Sequence, residues 1–512
     1  MLIGAAVCGF AAVRPIWDVD IFWHITAGQW ILEHTAFPNL DIFSFVEPIR
    51  TWVTFQWLYE VLCALVEDDF GLTGVRVFHA LATASGTSLF VWFAIRYLNP
   101  LKSPSGLPLI LLVLVLTALL VALYADRVRA RPHVFNLIGW SLCCGLLLTS
   151  SAHRKILVGL SCLVLFIWSN LHAGGSFIFL IAALAIPVAA TFVHFFPGNA
   201  QRRWTATVSS VGEGWMVWGF LLGSCLAAPN WVRGVWQAYA MMGGSEQLIE
   251  EWLPFWHYFA VGAHPLHYLS GIMPVVILPV VVWVAFRPGT KHLDVILIAL
   301  ACAFLPYRSA RFVYYEVFAL TLVLPYLPTQ MLVPIRRRVG MVGAAVVALI
   351  LLTTTADFHT RAQFASLSGY AQALEQDIDA RRFPVEMEAP INALLGLRST
   401  DKPLKIFCIP NWGGYLLYKH YPEIRVIADG RGNFSTDLAN RIDYVYWYRH
   451  LPETASLVER IFTESGADLV VIQRTAFAPG YKPVHWQPVF RSNKGEIWIR
   501  NELTQTLSGH RL

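Results

Sequence analysis

Long apolar segments recur along the first 355 or so residues of this chain and constrain its fold more than any other feature. In a bilayer core every backbone N–H and C=O must be paired within the protein, so such segments fold as helices or closed barrels. Runs near the required length predict about eleven membrane-spanning helices, since crossing takes roughly 20 apolar residues. They lie at 1–16, 73–97, 107–125, 133–151, 156–171, 174–196, 214–230, 268–286, 293–306, 312–328 and 339–355.

The composition excludes most soluble classes of protein. Of the 512 residues, 56% are hydrophobic and 14% are charged, whereas soluble domains carry about 25% charged residues. The net charge of +5 is spread over loops, so no nucleic-acid partner is indicated. Most of the eight cysteines lie in apolar runs, and no CxxC or Cys/His metal spacing occurs. The lipid bilayer is therefore the first predicted partner.

Loop charges predict the orientation of the chain. With the N-terminus in the cytoplasm, every inside loop is basic, as the positive-inside rule requires: Arg96/Lys102, Arg154/Lys155, Arg202/Arg203, Arg287/Lys291 and Arg336/Arg337/Arg338. The long loop 17–72 is rich in acids and belongs outside, and an odd number of spans places the C-terminal region outside too. Because the composition changes near Asp357, we predict a transmembrane domain over 1–355 and a soluble extracytoplasmic domain over 356–512.

Strand and helix patterns alternate in this C-terminal region. Strands are expected at 405–409, 424–428 and 468–472, a helix at 414–420 and a hairpin over 485–500. The predicted fold class is thus a mainly α, polytopic membrane protein with a C-terminal α/β domain. Asp429-Gly430-Arg431 follows a strand at the edge where such sheets contact ligands, although an ordinary turn explains it as well.

Two carboxylates, Asp18 and Asp20, follow the first apolar segment. A carboxylate at bilayer depth costs about 2.5–3.5 kcal/mol on insertion scales, so acids beside a span often line a site or a pathway. A helix end in water explains them equally well. His24 lies four residues after Asp20, on the same helical face. It could orient that carboxylate, help bind a metal or form a local hydrogen bond.

Two loops predicted outside are basic, against the rule. One carries Arg127, Arg129 and Arg131, and the other carries Arg308 and Arg311. The planar guanidinium fork matches phosphate oxygens, so a lipid-linked phosphate would give these side chains a partner. Snorkelling or pairing with loop acids explains any single arginine. Both arginine clusters are predicted on the same side of the membrane as Asp18 and Asp20, and this favours a phosphate site.

Aromatic and amide residues of the outer loops suit a sugar ligand. Trp23 and Trp57 are the candidates for stacking on sugar rings, whereas the other aromatic residues of loop 17–72 fit an interfacial belt. Asn170 and His172 lie at a hairpin tip before Gly174 and Gly175. Paired glycines permit close backbone approach to a ligand, although a tight turn explains them equally.

This pattern resembles the GT-C superfamily of integral-membrane glycosyltransferases, which have many spans, an acidic motif in the first outer loop and often a C-terminal extracytoplasmic domain. The run from Asp18 to His34, with Asn170-Leu171-His172, Trp412-Gly413-Gly414-Tyr415 and Asp429-Gly430-Arg431, looks like that of a bacterial branch of this type. The resemblance implies a bacterial cytoplasmic-membrane enzyme using a polyprenyl-phosphate-linked sugar at the outer face.

In such an enzyme, Asp18 or Asp20 would act as general base or orient the acceptor, and the loop arginines would hold the donor phosphate. His24, Trp23, Trp57, Asn170 and His172 would contact substrate. Some members of the superfamily use a divalent cation, Mg²⁺ or Mn²⁺. The acceptor would be a glycan, a lipid or a protein.

Other functions also fit these features. The chain has no WWDYG motif, which argues against asparagine-linked transfer. A transporter or flippase would use the same arginines and aromatic residues without a catalytic base. A ligase or polymerase would use a diphosphate-linked oligosaccharide, and a non-catalytic assembly protein would bind partners through its soluble domain.

Overall fold

The computed structural model describes residues 14–99, 107–124, 127–149, 153–196, 198–199, 202–237, 253–257, 259, 265–328, 375–397, 402–431, 436–448, 451–473 and 483–503. The predicted spans 1–16 (apart from its last residues) and 339–355, the loop residues Lys102 and Arg336–Arg338, and the boundary near Asp357 lie outside these residues. The chain divides into two compact units. The helical unit contains the described residues of 1–14, 76–236 and 246–375, and the sheet unit contains those of 15–75, 237–245 and 376–512.

The elements are numbered in chain order. They are α1 (Asp20–His34), α2 (Trp57–Leu98), α3 (Leu107–Tyr124), α4 (Val134–Leu147), α5 (Arg154–Leu171), α6 (Ala173–Ala183), α7 (Ala185–Phe195), β1 (Gly198–Asn199), β2 (Arg202–Thr205), α8 (Val211–Leu226), α9 (Pro265–Phe286), β3 (Gly289–His292), α10 (Leu293–Arg308), α11 (Tyr315–Val323), α12 (Glu388–Gly396), β4 (Leu404–Cys408), α13 (Pro410–His420), β5 (Ile424–Val426), α14 (Thr436–Tyr448), α15 (Ala455–Glu464), β6 (Leu469–Gln473), β7 (Trp486–Arg491) and β8 (Gly495–Arg500).

Helices occupy every predicted apolar segment between residues 73 and 328. Within the described residues, 4 helices are long and apolar enough to cross a membrane, or up to 5 if the bent pair Val211–Leu226 and Trp231–Gln237 forms one span. Others, such as α4, are apolar but shorter. The chain is therefore a mainly helical, multi-pass membrane protein, whereas the total of about eleven spans stays a prediction.

Three buried threonine hydroxyl groups in the helical unit are paired within their own helices. Thr83, Thr117 and Thr321 each donate to the carbonyl oxygen four residues earlier, at 2.9, 2.7 and 2.7 Å. Such pairing is required where neither water nor lipid offers an acceptor.

Two loops predicted on the cytoplasmic side meet in a small sheet. Strand β2 pairs in parallel with β3, with Arg203 opposite Thr290 and Trp204 opposite Lys291. Pairing of 202–205 with 289–292 agrees with both loops lying on one side of the membrane. Which side that is stays a prediction from the loop charges.

The sheet unit is built on a five-stranded sheet with the order β5-β4-β6-β8-β7. Strands β5, β4 and β6 are parallel, and β8 and β7 form an antiparallel hairpin. Helix α13 follows β4 and leads into β5, as expected for a right-handed strand–helix–strand unit. The predicted strands, helix and hairpin are thus found within a few residues of their expected bounds.

Part of the predicted outer loop 17–72 extends this sheet. The N–H of Val426 in β5 donates to the carbonyl oxygen of Phe43 at 3.0 Å, and the N–H of Phe45 donates back to Val426 at 3.3 Å. Ile16 likewise exchanges backbone hydrogen bonds with Asp377 and Asp379, at 2.7 and 2.8 Å. Each compact unit is therefore formed by segments that are separated in the sequence.

Helix α2 joins the end of the predicted outer loop 17–72 to the predicted span 73–97, and it is broken at Gly71. This residue has φ 62° and ψ −167° inside the helix. Glycine adopts this conformation easily because it has no Cβ. The break separates the part of the helix that begins at Trp57 from the apolar part that ends at Leu98.

Candidate functional site

The N-terminus of α1 positions Asp18 and Asp20. The N–H of Asp20 donates to Asp18 Oδ1 at 3.0 Å, which satisfies one of the N–H groups that a first helical turn leaves unpaired. Asp18 is buried, and Asp20 is half-buried. Carboxylates at a helix N-terminus are also favoured by the helix dipole. Asp18 therefore fixes the backbone at the start of the helix that carries Asp20.

Helix α1 packs closely against α13 of the same unit. Phe22 makes edge-to-face contacts with Tyr415 and Phe383, at ring-centroid distances of 5.0 and 4.9 Å. A Cβ at Gly414 would lie 3.1 Å from the carbonyl oxygen of Val19, so this glycine permits the close approach. The Trp412-Gly413-Gly414 motif thus supports the backbone just before Asp20.

The Asp429-Gly430-Arg431 turn lies against the other side of Asp20. A Cβ added at Gly430 would fall 2.0 Å from Asp20 Oδ1 and 3.3 Å from Trp23 Nε1. Only glycine therefore fits at position 430 while the Asp20 carboxylate keeps this position.

Arg431 is the centre of a buried ion network. Its Nη2 donates to Asp429 Oδ2 at 2.7 Å and to Asp41 Oδ1 at 2.8 Å. The guanidinium also lies over the rings of Phe43 and Trp52, at 4.9 and 4.6 Å. Burial alone would lower the pKa of Arg431, but the two carboxylates outweigh this effect and raise the pKa above its ordinary value. The arginine is therefore permanently charged.

The other predicted residues of loop 17–72 lie nearby in the chain but make different contacts. His24 Nδ1 lies 3.5 Å from Glu60 Oε1, with both side chains buried. The Trp23 ring packs against His24 with 3.5 Å between ring centroids, and Trp57 contacts Phe37 at 5.5 Å. Among the described residues no group of three or more His, Cys, Asp or Glu could hold a metal ion. The divalent cation stays a prediction from the resemblance.

In the helical unit, Arg127 and Arg311 both lie near the hydroxyl group of Tyr314. Arg127 is buried in the loop after α3, and Arg311 lies in the short turn before α11. Both guanidinium groups are within electrostatic reach of the Tyr314 hydroxyl. Arg127 and Arg311, one from each of the two predicted arginine loops, therefore lie near the same tyrosine.

Asn136 of α4 connects this pair to His172. Its Oδ1 accepts a hydrogen bond from Trp168 Nε1 at 3.1 Å and lies 2.8 Å from His172 Nδ1. The Asn136 side chain also hydrogen-bonds Tyr314. A Cβ at Gly175 would lie 1.9 Å from Asn136 Oδ1, which explains the second glycine of the hairpin tip. Burial, assisted by Arg311, lowers the pKa of His172 to about 3, so this imidazole is neutral at physiological pH.

The remaining predicted residues are placed differently. Arg129 and Arg131 continue the turns after Arg127, with successive N–H to carbonyl bonds of 2.9 and 2.8 Å. Arg308 is exposed at the end of α10, and Asn170 Nδ2 donates to the Phe166 carbonyl oxygen of its own helix at 2.8 Å. Sequence reasoning missed Asn136, Trp168 and Tyr314. An amide within an apolar run was the available signal for the first of them.

Three loops predicted on the outside therefore come together in the helical unit. They are the loops after α3, α5 and α10, represented by Arg127, His172 and Arg311. Convergence of these alternate loops agrees with a shared membrane side.

No known protein family and no curated protein matches the amino-acid sequence. The structure is similar to the crystal structure of the Archaeoglobus fulgidus oligosaccharyltransferase in its apo form. The TM-score is 0.52 at 10% sequence identity, over 92% of this chain and 69% of that one. The two proteins share a fold. At this level of identity the likeness concerns the fold alone.

Proposed function

We propose that this protein is a membrane glycosyltransferase that moves a sugar from a polyprenyl-phosphate donor to an acceptor hydroxyl at the outer face of a bacterial cytoplasmic membrane. The fold shared with a membrane oligosaccharyltransferase carries the proposal. Two residue groups support it. Asp18 and Asp20 open α1 in the sheet unit, and Arg127 and Arg311 act on Tyr314 in the helical unit.

The sheet unit supplies the base of the proposed reaction. The acceptor oxygen attacks the anomeric carbon of the donor as the bond from that carbon to the phosphate oxygen breaks, with inversion. The acceptor proton passes to a carboxylate, which we assign to Asp20. Asp18 already accepts the Asp20 N–H, so its proposed role is to hold the first turn of α1.

The helical unit supplies the groups that bind the leaving phosphate. The bonding electron pair departs with the polyprenyl phosphate, and preorganised guanidinium groups stabilise its negative charge. Arg127 and Arg311 take this role, while neutral His172 adds hydrogen bonding without charge. The prenyl tail stays in the bilayer beside the apolar helices.

A second candidate is transfer of a lipid-linked oligosaccharide by a ligase or polymerase. The name of the structural neighbour, an oligosaccharyltransferase, favours this reading. The same guanidinium groups would then bind a diphosphate. A flippase would need the arginines but not the carboxylate, so loss of the carboxylate separates it from both transferases.

The test is turnover in proteoliposomes with synthetic polyprenyl-phosphate mannose, glucose and N-acetylglucosamine, measured as release of polyprenyl phosphate. The unaltered protein should turn over one of these donors, and Asp20→Asn should lose turnover while remaining folded. Asp69→Asn, which changes an exposed acid of the same unit, is the matched control. Unaltered rates in both Asp18→Asn and Asp20→Asn would contradict the assignment.

A further inference from the structure

We infer that the Asp429-Gly430-Arg431 turn of the C-terminal region positions the carboxylate of Asp20. The turn and the carboxylate belong to the same compact unit. They touch at Gly430, where an added Cβ would come within 2.0 Å of Asp20 Oδ1. The inference rests on the proposed function, since it takes Asp20 as the base.

The turn itself is held rigidly. The Arg431 N–H donates to Asp429 Oδ1 at 2.9 Å, and the Arg431 guanidinium binds both Asp429 and Asp41. Arg431 and Asp41 are 390 residues apart, so this network ties the C-terminal region to the outer loop. Charge-assisted, multidentate bonds of this kind fix geometry as well as adding stability. Gly430 therefore has little freedom to move away from Asp20.

The opposite side of α1 is fixed as well. Gly414 lies against the Val19 carbonyl, and Phe22 packs among Tyr415 and Phe383. The first turn of α1 is thus enclosed between two segments of the C-terminal region, each of which presents a glycine. This region accordingly acts as a positioning element for the Asp20 carboxylate.

The consequence is a steric requirement at one position. A methyl group at residue 430 must displace the Asp20 carboxylate, because the turn is held by Arg431. A misplacement of about 1 Å can reduce a rate roughly 100-fold. Donor binding, which we assign to the helical unit, should not change.

The first experiment compares Gly430→Ala with Gly396→Ala, using polyprenyl-phosphate mannose or whichever of the three synthetic sugar donors the unaltered protein turns over. Nothing lies within 4 Å of a Cβ at Gly396, which makes it the matched control. We expect Gly430→Ala to lower kcat by roughly 10- to 100-fold with an unchanged KM for the donor. Gly396→Ala should keep both values. An unchanged kcat in Gly430→Ala, or a raised KM alone, would overturn the inference.

A second experiment tests the contact without turnover. The Tm of the detergent-purified protein is measured for Gly430→Ala alone and in an Asp20→Ala background, because contacting residues give non-additive effects. Most of the Tm loss from Gly430→Ala should disappear once the carboxylate is removed. Equal losses in both backgrounds would overturn the positioning contact. Absence of turnover in the unaltered protein would contradict the proposed function instead, whatever the Tm values show.

Discussion

The helical unit and the sheet unit differ in the charge of their candidate groups and in how the chain assembles them. In the helical unit, loops between successive helices bring two arginines near Tyr314. Asn136 connects Tyr314 to the neutral His172. In the sheet unit, carboxylates of an N-terminal loop depend on a C-terminal sheet, through contacts such as Asp41–Arg431 at 2.8 Å. The predicted topology indicates which loops lie on the same side of the membrane. It gives no information on which soluble segments fold together.

The largest expected effect distinguishes the roles of Asp18, just before α1, and Asp20, its first residue. Asp20→Asn should lower turnover by roughly 10²- to 10⁴-fold, the usual contribution of a general base. Asp18→Asn should lower it much less, because the amide oxygen of asparagine can still accept the Asp20 N–H. Single-turnover sugar transfer by the two folded variants measures the difference. A greater loss of turnover in Asp18→Asn than in Asp20→Asn would make Asp18 the base and Asp20 the residue that holds the helix start.

The next effect concerns the stability of the sheet unit. Arg431→Met leaves Asp41 and Asp429 buried without their cation, and breaking a buried pair in this way costs about 3–5 kcal/mol. Arg441→Met removes a surface pair with Glu464, for which about 0–1 kcal/mol is expected. Denaturant unfolding, with limited proteolysis to identify the fragment released, compares the variants. Similar losses in both would contradict the central role of the Arg431 network.

A third effect should appear in donor binding and leave the sheet unit stable. Arg127→Gln and Arg311→Gln each remove a charged donor, worth about 1.5–3 kcal/mol when it binds a charged group. The KM for the polyprenyl-phosphate donor should therefore rise roughly 10- to 100-fold in each variant. Arg233→Gln, at an exposed position of the same unit, is the control. If the three variants bind the donor alike, the phosphate site is elsewhere.

The smallest effect is a pH dependence of the sheet unit. Burial lowers the pKa of His420 below its ordinary value, so the unfolded chain binds this proton more readily than the folded one. The contribution of neutral, buried His420 to stability is present above the unfolded pKa of about 6.5 and is lost as pH falls below it. The Tm should drop between pH 7.5 and pH 5.5, and His420→Gln should reduce that drop. An identical pH dependence in the variant would exclude His420 as its source.

Much of the fold was predictable because it follows local patterns. Apolar runs near span length gave the helices between 73 and 328, and apolar β-rich runs gave β4 and β6. The joining of loop 17–72 to β5 was not predictable, since backbone bonds such as Val426 to Phe43 leave no mark in either local sequence.

The candidate site was predictable only in part, for the same reason. Asp18, Asp20, Arg127 and Arg311 stand out as charges beside apolar segments, so composition alone singles them out. Arg431 looked like part of an ordinary turn, because its partner Asp41 lies in a distant loop. Roles for all of these residues remain predictions that the variants above examine.

The most direct test of the account is mass spectrometry of the lipids that remain bound after purification in mild detergent. Three proteins are compared: the unaltered chain, Asp20→Asn, and the double variant Arg127→Gln/Arg311→Gln. We predict a polyprenyl monophosphate or its sugar ester on the unaltered chain and on Asp20→Asn, and its loss from the double variant. A diphosphate-linked oligosaccharide would support the ligase or polymerase instead. Ordinary phospholipids alone on all three proteins would contradict the account.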